Sequence, residues 1–173
     1  MLLTRQRGIW KRLRAAPLSK AMLLGSRSAS STITSMGVLT ILFTFARVVF
    51  KVQIAGSLAG FLGVCAAFSM MTASFGLLIA AVGKTPDATR GLSILVTLLM
   101  VMLGGAWIPT FIFPQWLQTL TLAVPTRWAV DGLDAMTWRG LSFAAAMGPI
   151  AMLLLYTGIF ATLAIVRFRW EAD

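Results

Sequence analysis

Runs of apolar residues long enough to cross a bilayer alternate along this chain with short polar breaks. A helix needs about 20 apolar residues to cross a hydrocarbon core of about 30 Å, because every backbone polar group there must be paired internally. The first such run is placed at about 29–50; it opens on Ser30, Ser31, Thr32, Thr34 and Ser35, closes on Val48, Val49 and Phe50, and lets Arg47 snorkel outward. The uncharged run between Lys51 and Lys84 holds one tilted helix, at about 55–82, and is too short for two with a turn. Its start carries Gly56, Gly60 and Gly63, a small-residue face that lets another helix backbone approach closely.

Past the polar stretch Lys84 to Arg90, the third run extends from Gly91 to Thr126 but contains Gly104, Gly105, Pro109, Pro114 and Pro125. One straight helix cannot pass through so many breakers. The pattern therefore predicts a span at about 91–108, then a segment at about 113–124 that lies in the interface or dips in and returns, then a short helix at about 126–138. The last span is placed at about 143–166, between Arg139 and Arg167. The fold class expected is all-α: a polytopic bundle of four spans in a single membrane domain over 1–173, with short re-entrant or interfacial helices.

Composition agrees. Of the 173 residues 58% are hydrophobic and only 12% charged, with a mean hydropathy of +0.87, against about 25% charged in a soluble domain. The 15 Lys and Arg outnumber the 5 Asp and Glu, and their placement predicts orientation. Seven precede the first span (Arg5, Arg7, Lys11, Arg12, Arg14, Lys20, Arg27), and Lys84, Arg90, Arg167 and Arg169 fall on the same side, against Arg47, Lys51, Arg127 and Arg139 on the other. By the positive-inside rule both termini are cytoplasmic, which suits four crossings. Trp107, Trp116, Trp128 and Trp138 then gather at the outer interface, with Trp10 and Trp170 at the inner one.

The chain has no His and no Asn, and Cys65 is its one cysteine. Metal clusters and Ser/His or Cys/His nucleophiles lack their parts, so no catalytic residue, metal or cofactor is expected. Gly83-Lys84-Thr85 imitates the end of a phosphate loop, but that pattern needs a glycine at position 78, which is Leu78. None of the four spans has an ionisable residue near its middle, so proton- or ion-coupled transport lacks its usual carriers.

Residues 5–24 form a basic amphipathic segment, with Ile9, Leu13 and Ala16 on one side of a helix and Arg7, Lys11 and Arg14 on the other. Taken alone it fits an interfacial helix on anionic lipid, a cleavable transit peptide or a docking element for a cytoplasmic partner. On the short helix at 126–138, Arg127, Asp131 and Asp134 share one face, either as a self-paired solvated surface or as part of a gate.

The stretch Gly8-Ile-Trp-Lys-Arg-Leu-Arg-Ala-Ala-Pro-Leu-Ser19 resembles the cytoplasmic coupling region of ABC type-2 exporter permeases. In the same order follow Val82-Gly-Lys-Thr-Pro-Asp87, Gly104-Gly105, Ile108-Pro109, Phe113-Pro-Gln-Trp-Leu117, Pro125-Thr-Arg-Trp-Ala-Val-Asp-Gly-Leu133 and the terminal Arg167-Phe-Arg169, which resemble that family in turn. The resemblance implies an inner-membrane permease subunit, itself no enzyme, that moves substrate with ATP hydrolysed by a separate ATP-binding cassette subunit. It implies docking of that subunit on Trp10, Lys11, Arg12, Leu13, Arg14, Pro17, Leu18 and Ser19, and an outer gate drawn from Pro114, Trp116, Pro125, Arg127, Trp128 and Asp131. A second permease copy or a related permease is the expected dimer partner; the lipid membrane surrounds both, and no nucleic acid is involved. In that family the coupling segment follows two spans that are missing before it here, so a truncated remnant, or a non-transporting structural or assembly protein, is the competing expectation.

Overall fold

The computed structural model describes residues 20–83 and 85–167. Six helices account for most of them, and there is no strand among the described residues. They are α1 (Lys20–Val49), α2 (Leu58–Val82), α3 (Pro86–Leu103), α4 (Gln115–Thr121), α5 (Pro125–Thr137) and α6 (Phe143–Arg167), with a 3-10 turn at Thr110–Ile112 before α4. Four of them, α1 from Gly25 onward, α2, α3 and α6, are long and apolar enough to cross a membrane. The protein is a polytopic helical bundle.

Helix α1 is described from Lys20, nine residues before the span predicted there. Within its Ser/Thr-rich first half the hydroxyls of Thr34 and Thr40 donate back to the carbonyls of Ser30 (2.9 Å) and Met36 (2.8 Å), so these two donors are satisfied inside the helix. Helix α2 starts at Leu58 rather than 55, since Ser57 caps it by accepting the Gly60 N–H (3.2 Å).

The third span departs most from expectation. Thr85 accepts the Ala88 N–H (3.3 Å), Pro86 occupies the first helical position, and Asp87 faces the positive end of the helix dipole. Those three residues start α3 at Pro86, inside what the sequence suggests is a polar loop. At its other end Gly104 caps the helix and Gly105 takes φ +87°, so α3 stops at Leu103 rather than near Ile108.

The core lies where α2, α5 and α6 meet, around Phe61, Val64, Cys65, Ala67, Met71, Ala129, Ala135, Met136, Ala146 and Leu153. The broadest contact joins α2 to α6, which run parallel. A Cβ on Gly60 would lie 3.1 Å from the Ala146 Cβ near one end, and the rings of Phe75 and Phe160 meet near the other, at 5.6 Å. Helix α1 packs on α2 edge to face through Phe43 and Phe61, with centroids 4.7 Å apart. Neither α1 nor α3 contributes a buried residue within its span window, so both are peripheral.

The start of α2, the end of α3 and the start of α6 lie at one end of the bundle together with α4 and α5. We call this the cap end. There the α1–α2 link is stitched to the α5–α6 link by Gly56 N–H to Met136 O (2.9 Å) and Ser57 N–H to Leu141 O (3.3 Å).

Candidate functional site

Between α3 and α6 the chain enters the bundle as a hairpin. Pro114 begins α4, and the Gln118 amide donates back to the Phe113 carbonyl (2.8 Å), fixing the entry turn. Helix α4 lasts only 7 residues before an elbow at Leu122–Val124, and Pro125, buried at the first position of α5, starts the return.

Two bonds set how deep the elbow goes. The Tyr156 hydroxyl donates to Ala123 O at 3.0 Å, and Tyr156 lies at the midpoint of α6, a helix of 25 residues and about 37 Å. The Thr126 hydroxyl donates to Met100 O on α3. Measured along α6, the elbow therefore reaches about half the length of that helix from the cap end. Non-helical backbone at that depth is tolerated only where protein or a water-filled cavity satisfies it, and the elbow carbonyls of Ala123 and Leu122 are taken by Tyr156 and by the Trp128 indole N–H (2.9 Å).

Helix α5 climbs back on a face of small residues. A Cβ on Gly132 would come within 2.9 Å of Pro149 and 3.1 Å of both Val64 methyls, so α5 can wedge between α2 and α6 only with glycine there. Gly56 and Gly60 accept the end of α5 in the same way: a Cβ on Gly56 would meet Leu141 O at 2.7 Å and Met136 O at 3.0 Å, and one on Gly60 the Met136 sulfur at 2.6 Å. Gly63 receives Ile150 of α6, 2.8 Å from where its Cβ would be. These contacts of the small-residue face are all within the chain.

The opposite face of α5 is polar. Arg127 holds the hairpin shut: Nη1 donates to Gln118 O (2.8 Å) and to the Thr121 hydroxyl (2.5 Å), while Nε donates to Asp131 Oδ2 (3.2 Å). The cation thereby caps the carbonyl end of α4, where the helix dipole is negative. Its side chain is 14% exposed and that of Asp131 41%, so the pair is sheltered on the arginine side. Beside it Gln115, Gln118, Thr119, Leu122 and Arg127 line an open cavity of about 380 Å³. Trp116 and Leu120, on the other side of α4, are exposed.

The structure thus gathers Pro125, Arg127, Trp128 and Asp131 at the elbow, sets Pro114 at the mouth of the hairpin, and turns Trp116 away from the others. Trp10, Lys11, Arg12, Leu13, Arg14, Pro17, Leu18 and Ser19 lie outside the described residues. Among the described residues the spans carry no charged group near their middles; Arg127 and Asp131 lie on α5, beside the elbow. Sequence reasoning missed Thr126, Gln118, Thr121 and Tyr156. Tyr156 had a usable signal, being the sole tyrosine and set in an apolar span, where its hydroxyl needs a partner. Among the described residues no group of acids and cysteines could hold a metal.

Residues 1–138 match the family model for the ABC-2 type transporter. The chain is 31% identical over 121 residues to the inner membrane transport permease YhhJ of Escherichia coli, covering 70% of this chain and 32% of that protein. It is 25% identical over 159 residues to the linearmycin resistance permease protein LnrN of Bacillus subtilis, covering 92% of this chain and 41% of that one. The chain therefore spans about a third to two fifths of the length of the curated relatives it matches. No solved structure matches it significantly. With four apolar helices and a family match across most of its length, this multi-pass membrane protein belongs to the ABC-2 type transporter family as a permease component.

Proposed function

We propose that this chain is the membrane-spanning part of an exporter in the cell membrane, driven by ATP hydrolysis on a separate ATP-binding cassette subunit, and that its cap end faces outward. The observation that carries the reading is the re-entrant hairpin. It plugs one end of the bundle, its elbow bonded to the middle of α6, yet presents a polar, cavity-lined face, which is the arrangement an openable outer gate requires. Charge along the sequence supports the orientation: 11 of the 15 Lys and Arg precede the first span, fall between the second and third spans or follow the last, and four (Arg47, Lys51, Arg127, Arg139) fall on the cap side. The names of YhhJ and LnrN, an inner membrane transport permease and a linearmycin resistance permease protein, support a transport role.

The ATP-binding subunit docks on the basic segment around Trp10 to Ser19, and its ATP-driven closure rocks the spans of a permease dimer between inward- and outward-open states. Basic and apolar groups on one exposed helix suit a groove with an acidic rim. Purification in mild detergent from native membranes is expected to bring down an ATP-binding subunit. The double variant Leu13→Asp, Arg14→Glu inserts normally but loses that subunit. Undiminished recovery with the double variant contradicts the docking assignment, and recovery of this chain alone in both preparations favours a structural or remnant protein.

A further inference from the structure

We infer that the cavity between α4 and α5 binds an anionic group, a phosphate or a carboxylate, carried by the molecule that passes the hairpin. Arg127 has five N–H donors. Three are taken, by Gln118 O, the Thr121 hydroxyl and Asp131 Oδ2, and the two on Nη2 have no partner among the described residues. The side chain is 14% exposed and is one of those lining the open cavity.

The rest of the lining favours an acceptor-rich ligand. The Gln115 side-chain amide has no protein partner among the described residues, whereas the Thr119 hydroxyl already donates to Gln115 O (3.1 Å) and the Gln118 amide to Phe113 O (2.8 Å). No carboxylate lines the cavity, Asp131 being engaged at Nε outside it. Asp131 offsets the charge of Arg127 while the site is empty, so specificity comes from directed bonds more than from net charge. Its volume of about 380 Å³ falls at the lower end of the range of roughly 300–1,000 Å³ for small-molecule sites, room for a headgroup rather than a whole amphiphile. Leu122 on the rim and the exposed Leu120 and Trp116 on the far side of α4 give an apolar tail a place beside it.

This inference rests on the reading of the hairpin as the outer end of a substrate path. The test uses the full chain in an uncharged maltoside detergent, titrated by calorimetry with inorganic phosphate, with dihexanoyl phosphatidic acid, and with dihexanoyl glycerol, which lacks the phosphate. Gln115→Leu removes a donor without touching the latch, and Arg127→Lys keeps the charge but loses the fork of donors. At least one phosphate-bearing probe binds, dihexanoyl glycerol does not, and each variant weakens binding about tenfold or more. Binding of the lipid alone identifies a headgroup as the source of the anion, and equal binding of free phosphate identifies a soluble anion; both support the site. Equal affinity for dihexanoyl glycerol, or unchanged affinity in Gln115→Leu with the variant folded, overturns it. Recovery of the ATP-binding subunit is read on the same preparations, so a failed anion site and a failed exporter reading are told apart.

Discussion

Gly132→Val and Gly56→Val each strip the bundle of its folded form under conditions where the parent protein is stable, each lowering stability by about 3 kcal/mol, at the top of the usual range for overpacking. The space for a side chain is already filled by rigid groups. At Gly132 the neighbours are the Pro149 ring and both methyls of Val64, a residue that is itself fully buried. At Gly56 they are the backbone carbonyls of Leu141 and Met136, and the second cannot retreat because it accepts the Gly56 N–H. Gly76→Ala, Gly148→Ala and Gly158→Ala serve as controls, since nothing lies within 4 Å of a Cβ at any of the three. Alanine there is neutral or raises stability by up to about 1 kcal/mol by restricting the unfolded chain. Unfolding in mixed micelles with increasing dodecyl sulfate measures both sets, and equal midpoints for Gly132→Val and Gly148→Ala contradict the wedging of α5 between α2 and α6.

Arg127→Met lowers stability by about 3 kcal/mol, the lower end of the range for breaking a sheltered ion pair. It removes the partner of the Asp131 carboxylate, and Gln118 O and the fully buried Thr121 hydroxyl each lose a bond to Arg127, keeping only the one between them (2.9 Å). The lower end applies because Asp131 is 41% exposed and water recovers part of the loss. The double variant Arg127→Met, Asp131→Leu regains half or more of it, since removing both charges leaves no uncompensated ion. If the single and double variants unfold at the same midpoint, the latch owes nothing to the ion pair and the cap of α4 alone holds the hairpin.

The spans are legible in the sequence because the bilayer enforces a length and a polarity that any helix must satisfy. Boundaries are less so, since caps decide them: Thr85, Pro86 and Asp87 start α3 within a stretch whose charge reads as a loop. The hairpin is half legible. Five helix breakers from Gly104 to Pro125 exclude a straight span, but only the bonds of Tyr156 and Thr126 to distant carbonyls show that the elbow packs against α6 and α3. The i, i+4 spacing of Arg127 and Asp131 predicts their pairing, whereas the capping of Gln118 O by Arg127 depends on how the elbow folds back and leaves no periodic trace. The glycines of α2 announce close packing without naming the partner, because a small-residue face accepts any helix that reaches it.

In the function proposed above, the hairpin enters the membrane with one face toward water. Single cysteines introduced by Gln118→Cys and Leu120→Cys, treated in intact cells with a membrane-impermeant maleimide, read this directly; Cys65 is buried in α2 and stays unlabelled as an internal control. Labelling at position 118 from outside, with position 120 protected by lipid until detergent is added, is the predicted result. Protection at 118 together with ready labelling at 120 would place the polar face of α4 away from the outer solvent and contradict the gate.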